Sequence, residues 1–281
     1  KDNSVCGLIR EENDIMLAVF NPNLEITDRM AIFRGSRGFI LWAERDSVLV
    51  GIDNKLFLVE NGIQKTVLRA SNVRNIFWHA VEAKGVVFVH EYGVSPTGIY
   101  ASSDLRNWRK LITNIDLDKS SRHFHFIGYD PYRDWLIATL GDGCLTRVVY
   151  SEDLGETWKV LYRGSWQFVP MVALKNRIVF GMDSGIVRGG IGIYHAIHRV
   201  WKFIFLKWLG NIRYVQICDL KYLNNGIWIA ALGQPQAIVI SRDLENWRPL
   251  YIEGFINRFN HYMSIWAVSY THLTLPTTER V

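Results

Sequence analysis

Residues Tyr150–Leu161 read YSEDLGETWKVL, and the same pattern returns on either side of them. YASSDLRNWRKL stands at Tyr100–Leu111 and VISRDLENWRPL at Val239–Leu250. The shared positions are Ser151, Asp153, Gly155, Thr157 and Trp158 in the first stretch. Ser102, Asp104 and Trp108 keep them in the second, and Ser241, Asp243 and Trp247 in the third. A fourth, eroded copy, IYHAIHRVWKFI at Ile193–Ile204, retains Tyr194, Trp201 and Lys202. The four tryptophans fall 50, 43 and 46 residues apart. A fixed period of this size marks an array of one repeated supersecondary unit.

Between the repeats lie short apolar or alternating runs bounded by turn residues, with no amphipathic helical period. One period holds four of them: MVALKN (171–176), RIVFGMD (177–183), GIGIYH (190–195) and WKFIFLKW (201–208). Four strands per ~45 residues is one propeller blade, read here as inner, second, third and outer strand. The recurrent motif then joins the third strand to the outer one. Stepping the period backwards places earlier blade ends near Gln64–Val67 and Phe20–Asn23. The expectation is an all-β propeller of about five complete four-stranded blades and a truncated further one, from a ring of six or seven, with residues 1–267 as one domain.

The motif resembles the Asp-box, or BNR repeat (S-x-D-x-G-x-T-W), of sialidase-like β-propellers. Ser151, Asp153, Gly155, Thr157 and Trp158 match every position, whereas the other two copies lack the glycine and are one residue shorter. The motif makes sense as a hairpin clasp. The Asp carboxylate accepts N–H groups of its own turn, the hydroxyls add further bonds, glycine takes a positive φ, and the tryptophan buries area beneath. The resemblance implies a carbohydrate-handling propeller, with glycoside hydrolysis as the associated activity. The sialidase F-R-I-P motif is absent, since AIFRGSRG carries Phe33, Arg34 and Gly35 without the proline. A non-catalytic scaffold that binds a glycan or a protein partner is the alternative.

The final stretch, VSYTHLTLPT at Val268–Thr277, reads as translated sequencing-adapter DNA, so residues 268–281 are expected to be foreign to the fold. The chain begins at Lys1 and is read as part of a longer protein. Hydrophobic residues make up 49% of the sequence and include 11 Trp, enough for a packed core. A net charge of +5 admits anionic partners. With no run of five Lys or Arg, nucleic acid is not among the expected partners. No apolar run approaches the ~18 residues of a membrane span. Cys6, Cys144 and Cys218 are isolated and read as free thiols. No metal and no cofactor are assigned.

Strand alternation sorts the loops onto two faces. Those leading into the inner strands share one face with the loops between second and third strands, away from the Asp-boxes. The first group reads ASNVRNIFWH, KSSRHFHF, RGSWQFVP, GNIRYVQ and FINRFNHY, and it repeats an arginine at Arg74, Arg122, Arg213 and Arg258, with Arg163 displaced. Guanidiniums ringed about a channel would hold carboxylates, sulfates or phosphates bidentately. Local ion pairing of each arginine is the plainer alternative. Trp166, His123 and His125 join this ligand-binding set. The second group supplies the candidate acids Glu91, Asp142 and Asp183, with Gln234 and Gln236 beside them. Asp142 lies between two glycines and is the first candidate for a protonated acid. A glycosidase would need two such carboxylates facing across a sugar. His123 and His125 alternate at a strand entry, and one is expected on each side of the sheet. Convergence of His79, His125 and His261 would instead point to a histidine-assisted or metal-dependent enzyme.

Overall fold

In a computed structural model that describes residues 5–44, 47–183, 187–206, 215–223, 225–234 and 236–252, every repeat forms one antiparallel sheet. The first blade holds β1 (Val5–Glu11), β2 (Asp14–Phe20) and β3 (Ile26–Arg34). The second holds β4 (Gly38–Glu44), β5 (Ser47–Ile52), β6 (Lys55–Glu60) and β7 (Ile63–Arg69). The third holds β8 (Ile76–Ala83), β9 (Val86–Tyr92), β10 (Gly98–Ser102) and β11 (Arg109–Thr113). The fourth holds β12 (Phe124–Asp130), β13 (Trp135–Leu140), β14 (Thr146–Ser151) and β15 (Lys159–Gly164). The fifth holds β16 (Phe168–Leu174), β17 (Arg177–Met182), β18 (Gly190–His195) and β19 (Val200–Phe205). The sixth holds β20 (Gln216–Tyr222), β21 (Trp228–Gln234), β22 (Gln236–Ser241) and β23 (Trp247–Ile252). The fold is therefore a six-bladed β-propeller, its first blade three-stranded among the described residues. One four-residue helix, α1 (Asn114–Leu117), interrupts the strands.

Successive blades cover one another's faces, which is why the middle strands read as nearly continuous apolar runs. Each of the five gaps between successive blades holds its own buried cluster. Ile15, Leu17 and Phe33 of the first blade meet Val48, Val50 and Ile52 of the second. Phe88 and Ile99 of the third meet Phe124, Ile127 and Leu136 of the fourth. Ile191 and Ile193 of the fifth meet Trp228 and Val239 of the sixth. The ring places inner strands of opposite blades across a central axis. His79 on β8 consequently feels the charges of Asp219 and Lys221 on β20, three blades away.

The recurrent turns sit between third and outer strands, and all three use one clasp. Asp104 Oδ1 accepts the N–H groups of Arg106 and Asn107 at 2.9 and 2.8 Å, and Ser102 Oγ donates to it at 3.0 Å. Asp243 does the same with Glu245 and Asn246 at 2.9 and 2.7 Å. Asp153 accepts Thr157 N–H at 2.8 Å and Thr157 Oγ1–H at 2.6 Å. These bonds, led by those from Thr157, hold the Asp153 carboxyl down at about 2. Trp108, Trp158 and Trp247 each donate their indole N–H back to the turn, at 3.1, 3.0 and 2.9 Å. Gly155 takes the expected positive φ, 96°. Leu105, Leu154 and Leu244, the residue after each aspartate, all adopt left-handed φ values, 62°, 56° and 67°, and the longer copy adds Gly155 as a second such residue.

The blade end expected near Phe20–Asn23 is corrected. Those residues form the turn before the outer strand, and the blade ends at Arg34. Asn21 replaces the aspartate there, its Oδ1 accepting the N–H groups of Asn23 and Glu25 at 2.9 and 3.0 Å, and Leu24 is left-handed with φ 63°. The blade end expected at Gln64–Val67 falls inside the outer strand β7. The tail at residues 268–281 lies outside the described residues.

Candidate functional site

Every inner strand from β4 to β20 carries a bulge near its start. The register skips Leu41 in β4, Trp78 in β8 and His125 in β12. It skips Cys218 in β20, while in β16 Val169 and Pro170 lie opposite Gly181 alone. A bulge inserts a residue and re-aims its side chain. The expectation that His123 and His125 face opposite sides is overturned: residues two apart on an extended chain share a face, and both imidazoles turn to one carboxylate. His125 Nε2 lies 3.1 Å from Asp142 Oδ1, and His123 Nε2 lies 3.7 Å from the same oxygen. The two rings meet edge to face at 4.7 Å.

Asp142 is brought to them by the turn that follows β13. Gly141, with φ 85°, donates its N–H to His123 O at 3.0 Å and so pins this loop against the histidine strand. A Cβ on Gly141 would stand 2.3 Å from Leu145 O, so only glycine fits. Arg122 Nη1 reaches Asp142 Oδ2 at 3.4 Å while its side chain stays 72% exposed. His123 and His125 are each 3% exposed. Their imidazoles hold the Asp142 carboxyl well below the usual carboxylate range. Burial lowers the basicity of His125 despite that carboxylate.

Aromatic side chains and polar groups from neighbouring blades complete the cluster. Tyr92 packs its ring 4.2 Å from His123 and 5.7 Å from His125, and Trp78 meets Tyr92 edge to face at 4.1 Å. Burial and then the charges of Asp142 and Asp183 raise the Tyr92 hydroxyl, which places Asp183 in the same field. His123 Nδ1 contacts Gly93 O at 2.7 Å, and Gln167 Nε2 contacts His125 Nδ1 at 3.4 Å. Trp78 and Tyr92 were not singled out from the sequence. Their signal was the aromatic residue at the bulge position and beside the second-to-third loop.

The other candidates separate from this cluster. Glu91 is wholly buried and accepts Ser71 N–H, Ser71 Oγ–H, Asn75 Nδ2–H and Tyr100 O–H at 2.8, 2.6, 2.9 and 2.5 Å. These bonds set Glu91 apart from the cluster, as a buried carboxyl engaged on both oxygens. The imidazoles of His123 and His125 favour the Asp142 anion, which runs against the protonated state expected of it. Trp166 packs on Phe203 and Phe205 of β19 at 4.8 and 5.4 Å and serves the gap between blades rather than the cluster. Arg74 is exposed but stands four residues before its bulge, against three for Arg122, so the two are not equivalent positions. Arg213, Arg258 and His261 lie outside the described residues, as does the Gln234 side chain.

No family model matches the chain, and no curated protein does. Solved structures of low identity share its fold. The GH74 enzyme of Niastella koreensis superposes with a TM-score of 0.63 at 13% identity, over 87% of this chain and 44% of that one. A puromycin hydrolase superposes with a TM-score of 0.62 at 10% identity, over 89% and 45%. The extracellular domain of a putative one component system from B. thetaiotaomicron gives 0.62 at 9%, over 89% and 33%. The chain thus spans less than half the length of these three proteins. Together with the sheet order they define the class as a six-bladed β-propeller.

Proposed function

We propose that the chain is an Asp-box, sialidase-like propeller that binds an anionic carbohydrate on the loop face opposite the clasps, and binds it without hydrolysing it. The observation that carries this reading is the exposed Arg122 guanidinium, whose charge acts on Tyr92 of the Trp78–Tyr92 aromatic pair. Arginine recognises carboxylate or sulfate through a planar fork, and an aromatic face supplies area for a sugar ring. Hydrolysis would need a carboxyl kept protonated opposite a second one. Asp142 is held as the anion and Glu91 is enclosed, leaving Asp183 alone among the three candidate acids.

The scaffold alternative draws on a different place: Val200, Phe203 and Phe205 on β19 are 52%, 38% and 45% exposed. A test of the main reading titrates the protein with uronates, sialosides and sulfated glycans and assays reducing-sugar release in parallel. The expected result is saturable binding to one class, about tenfold weaker in Arg122→Ala, with no sugar released. Absence of binding to all three would leave the scaffold reading. Release of product would overturn the claim of binding alone.

A further inference from the structure

We infer that His123, His125 and Asp142 form a binding site for one divalent transition-metal ion of the zinc type. The three candidate ligand atoms lie within 4.8 Å of one another. An ion held at ~2.0–2.1 Å from nitrogen and oxygen ligands in a tetrahedron implies ligand-to-ligand edges of about 3.3–3.4 Å. The two measured edges to Asp142 Oδ1, 3.1 and 3.7 Å, bracket that value.

The tautomer of His123 carries the inference beyond proximity. Its Nδ1 faces a carbonyl, Gly93 O, at 2.7 Å, and a carbonyl only accepts, so Nδ1 must be the protonated nitrogen. In the neutral ring Nε2 is then a bare lone pair. That nitrogen is buried and has no hydrogen-bond partner, and it looks at a carboxylate oxygen. A lone pair aimed at an anion in a dry place is unfavourable, and a bound cation satisfies both at once. A backbone carbonyl on Nδ1 is also the usual outer partner of a metal-ligating histidine. His125 Nε2 faces Asp142 Oδ1, and for that nitrogen to ligate an ion the neutral ring would carry its proton on Nδ1, beside the Gln167 side chain, with no net proton released. Asp142 Oδ2 would remain with Arg122, which fixes the carboxylate as a one-oxygen ligand. Two histidines and one carboxylate leave a fourth position open for water or for a ligand oxygen. His125 occupies the bulge position of β12. The site does not depend on the carbohydrate reading.

The test strips the protein with chelator and titrates it with Zn2+ by calorimetry and with Co2+ by visible absorption. The expected result is one equivalent of either ion, a tetrahedral cobalt spectrum, and a rise in unfolding temperature with Zn2+. Asp142→Asn and His123→Gln should each weaken binding at least tenfold and abolish the thermal rise. Should His123→Gln fail to fold, Asp142→Asn still decides, because its side chain is 35% exposed on a surface turn. No saturable binding by the wild type overturns the inference. So does binding that persists unchanged in Asp142→Asn, which would place the ion on other histidines such as His195 and His198.

Discussion

Replacing Glu91 separates the two roles a buried carboxylate can have. It accepts four hydrogen bonds, from Ser71 N–H and Tyr100 O–H on one oxygen and from Ser71 Oγ–H and Asn75 Nδ2–H on the other. Asn75 is itself buried, and its amide also ties Val94 through contacts of 2.6 and 3.1 Å. Glu91→Ala leaves these donors without an acceptor in a place water does not reach. A buried neutral donor left without an acceptor costs about 1–3 kcal/mol, and several are left here. Glu91→Gln keeps the shape but turns one oxygen into a donor. Ser71 Oγ and Tyr100 Oη can rotate to accept from it, whereas Asn75 Nδ2 cannot, so about 1–3 kcal/mol is expected for one unsatisfied group. Urea unfolding followed by tryptophan fluorescence measures both, read as a shift in midpoint at constant slope. Ligand affinity measured on the folded fraction should be unchanged in Glu91→Gln. A Glu91→Ala protein within about 1 kcal/mol of wild type would refute the structural assignment. Lost binding or turnover in Glu91→Gln at undiminished stability would return this residue to the functional site.

Gly141→Ala should abolish metal and glycan binding while most of the fold survives, since its Cβ would drive against Leu145 O and carry Asp142 away from the histidines; binding equal to wild type would contradict this. His90 is fully buried and burial holds it down at about 3, so the native state excludes a proton that the unfolded chain accepts below about 6.5. Stability is thus full above pH 6.5 and falls as pH drops toward 3, by roughly 2 kcal/mol for this ring at pH 5; His90→Phe should flatten that slope in melts taken between pH 7 and 4. The depressed Asp142 carboxyl acts in a lower window, its contribution being present above about 3.8 and lost on further acidification. Asp142→Asn should remove that acid limb alone. Substituting Asp153 by Ala should lower the melting temperature without changing ligand affinity, because its partners are Ser151 and Thr157 within one hairpin.

The blades were legible because their information is local and repeated. A Ser, an Asp and a Trp at fixed offsets encode one turn, and four apolar runs encode the sheet it closes. GFILWAE, KLFLVE and GIGIYH coincide with β4, β6 and β18. The inner strands β8, β12 and β20 were harder to see. Their first residues carry Trp, His and Cys where the register slips, and the alternation that marks a strand fails there. Outer strands such as β7 and β11 are largely exposed and polar, so the sequence shows little periodic contrast. The first blade lacked a matching motif because Asn21 does the work of the aspartate.

The site was half legible for the same physical reason. Arg122, His123, His125 and Asp142 were all identifiable as chemistry-bearing residues on converging loops. Their relation was not, because the strand begins only at Phe124 and its register slips at His125, so the sequence alone does not set where either imidazole points. The equivalent bulge positions hold Leu41, Trp78, His125 and Cys218, four side chains with unrelated chemistry on one recurring backbone feature. The repeat fixes where such a residue points, and selection at that position is free to differ from blade to blade without disturbing the clasps or the packed gaps. Function in this ring is accordingly expected where one blade departs from the others at its bulge, and among the described residues the fourth blade alone combines a histidine there with a second at the residue before the strand and a glycine-flanked aspartate across from them.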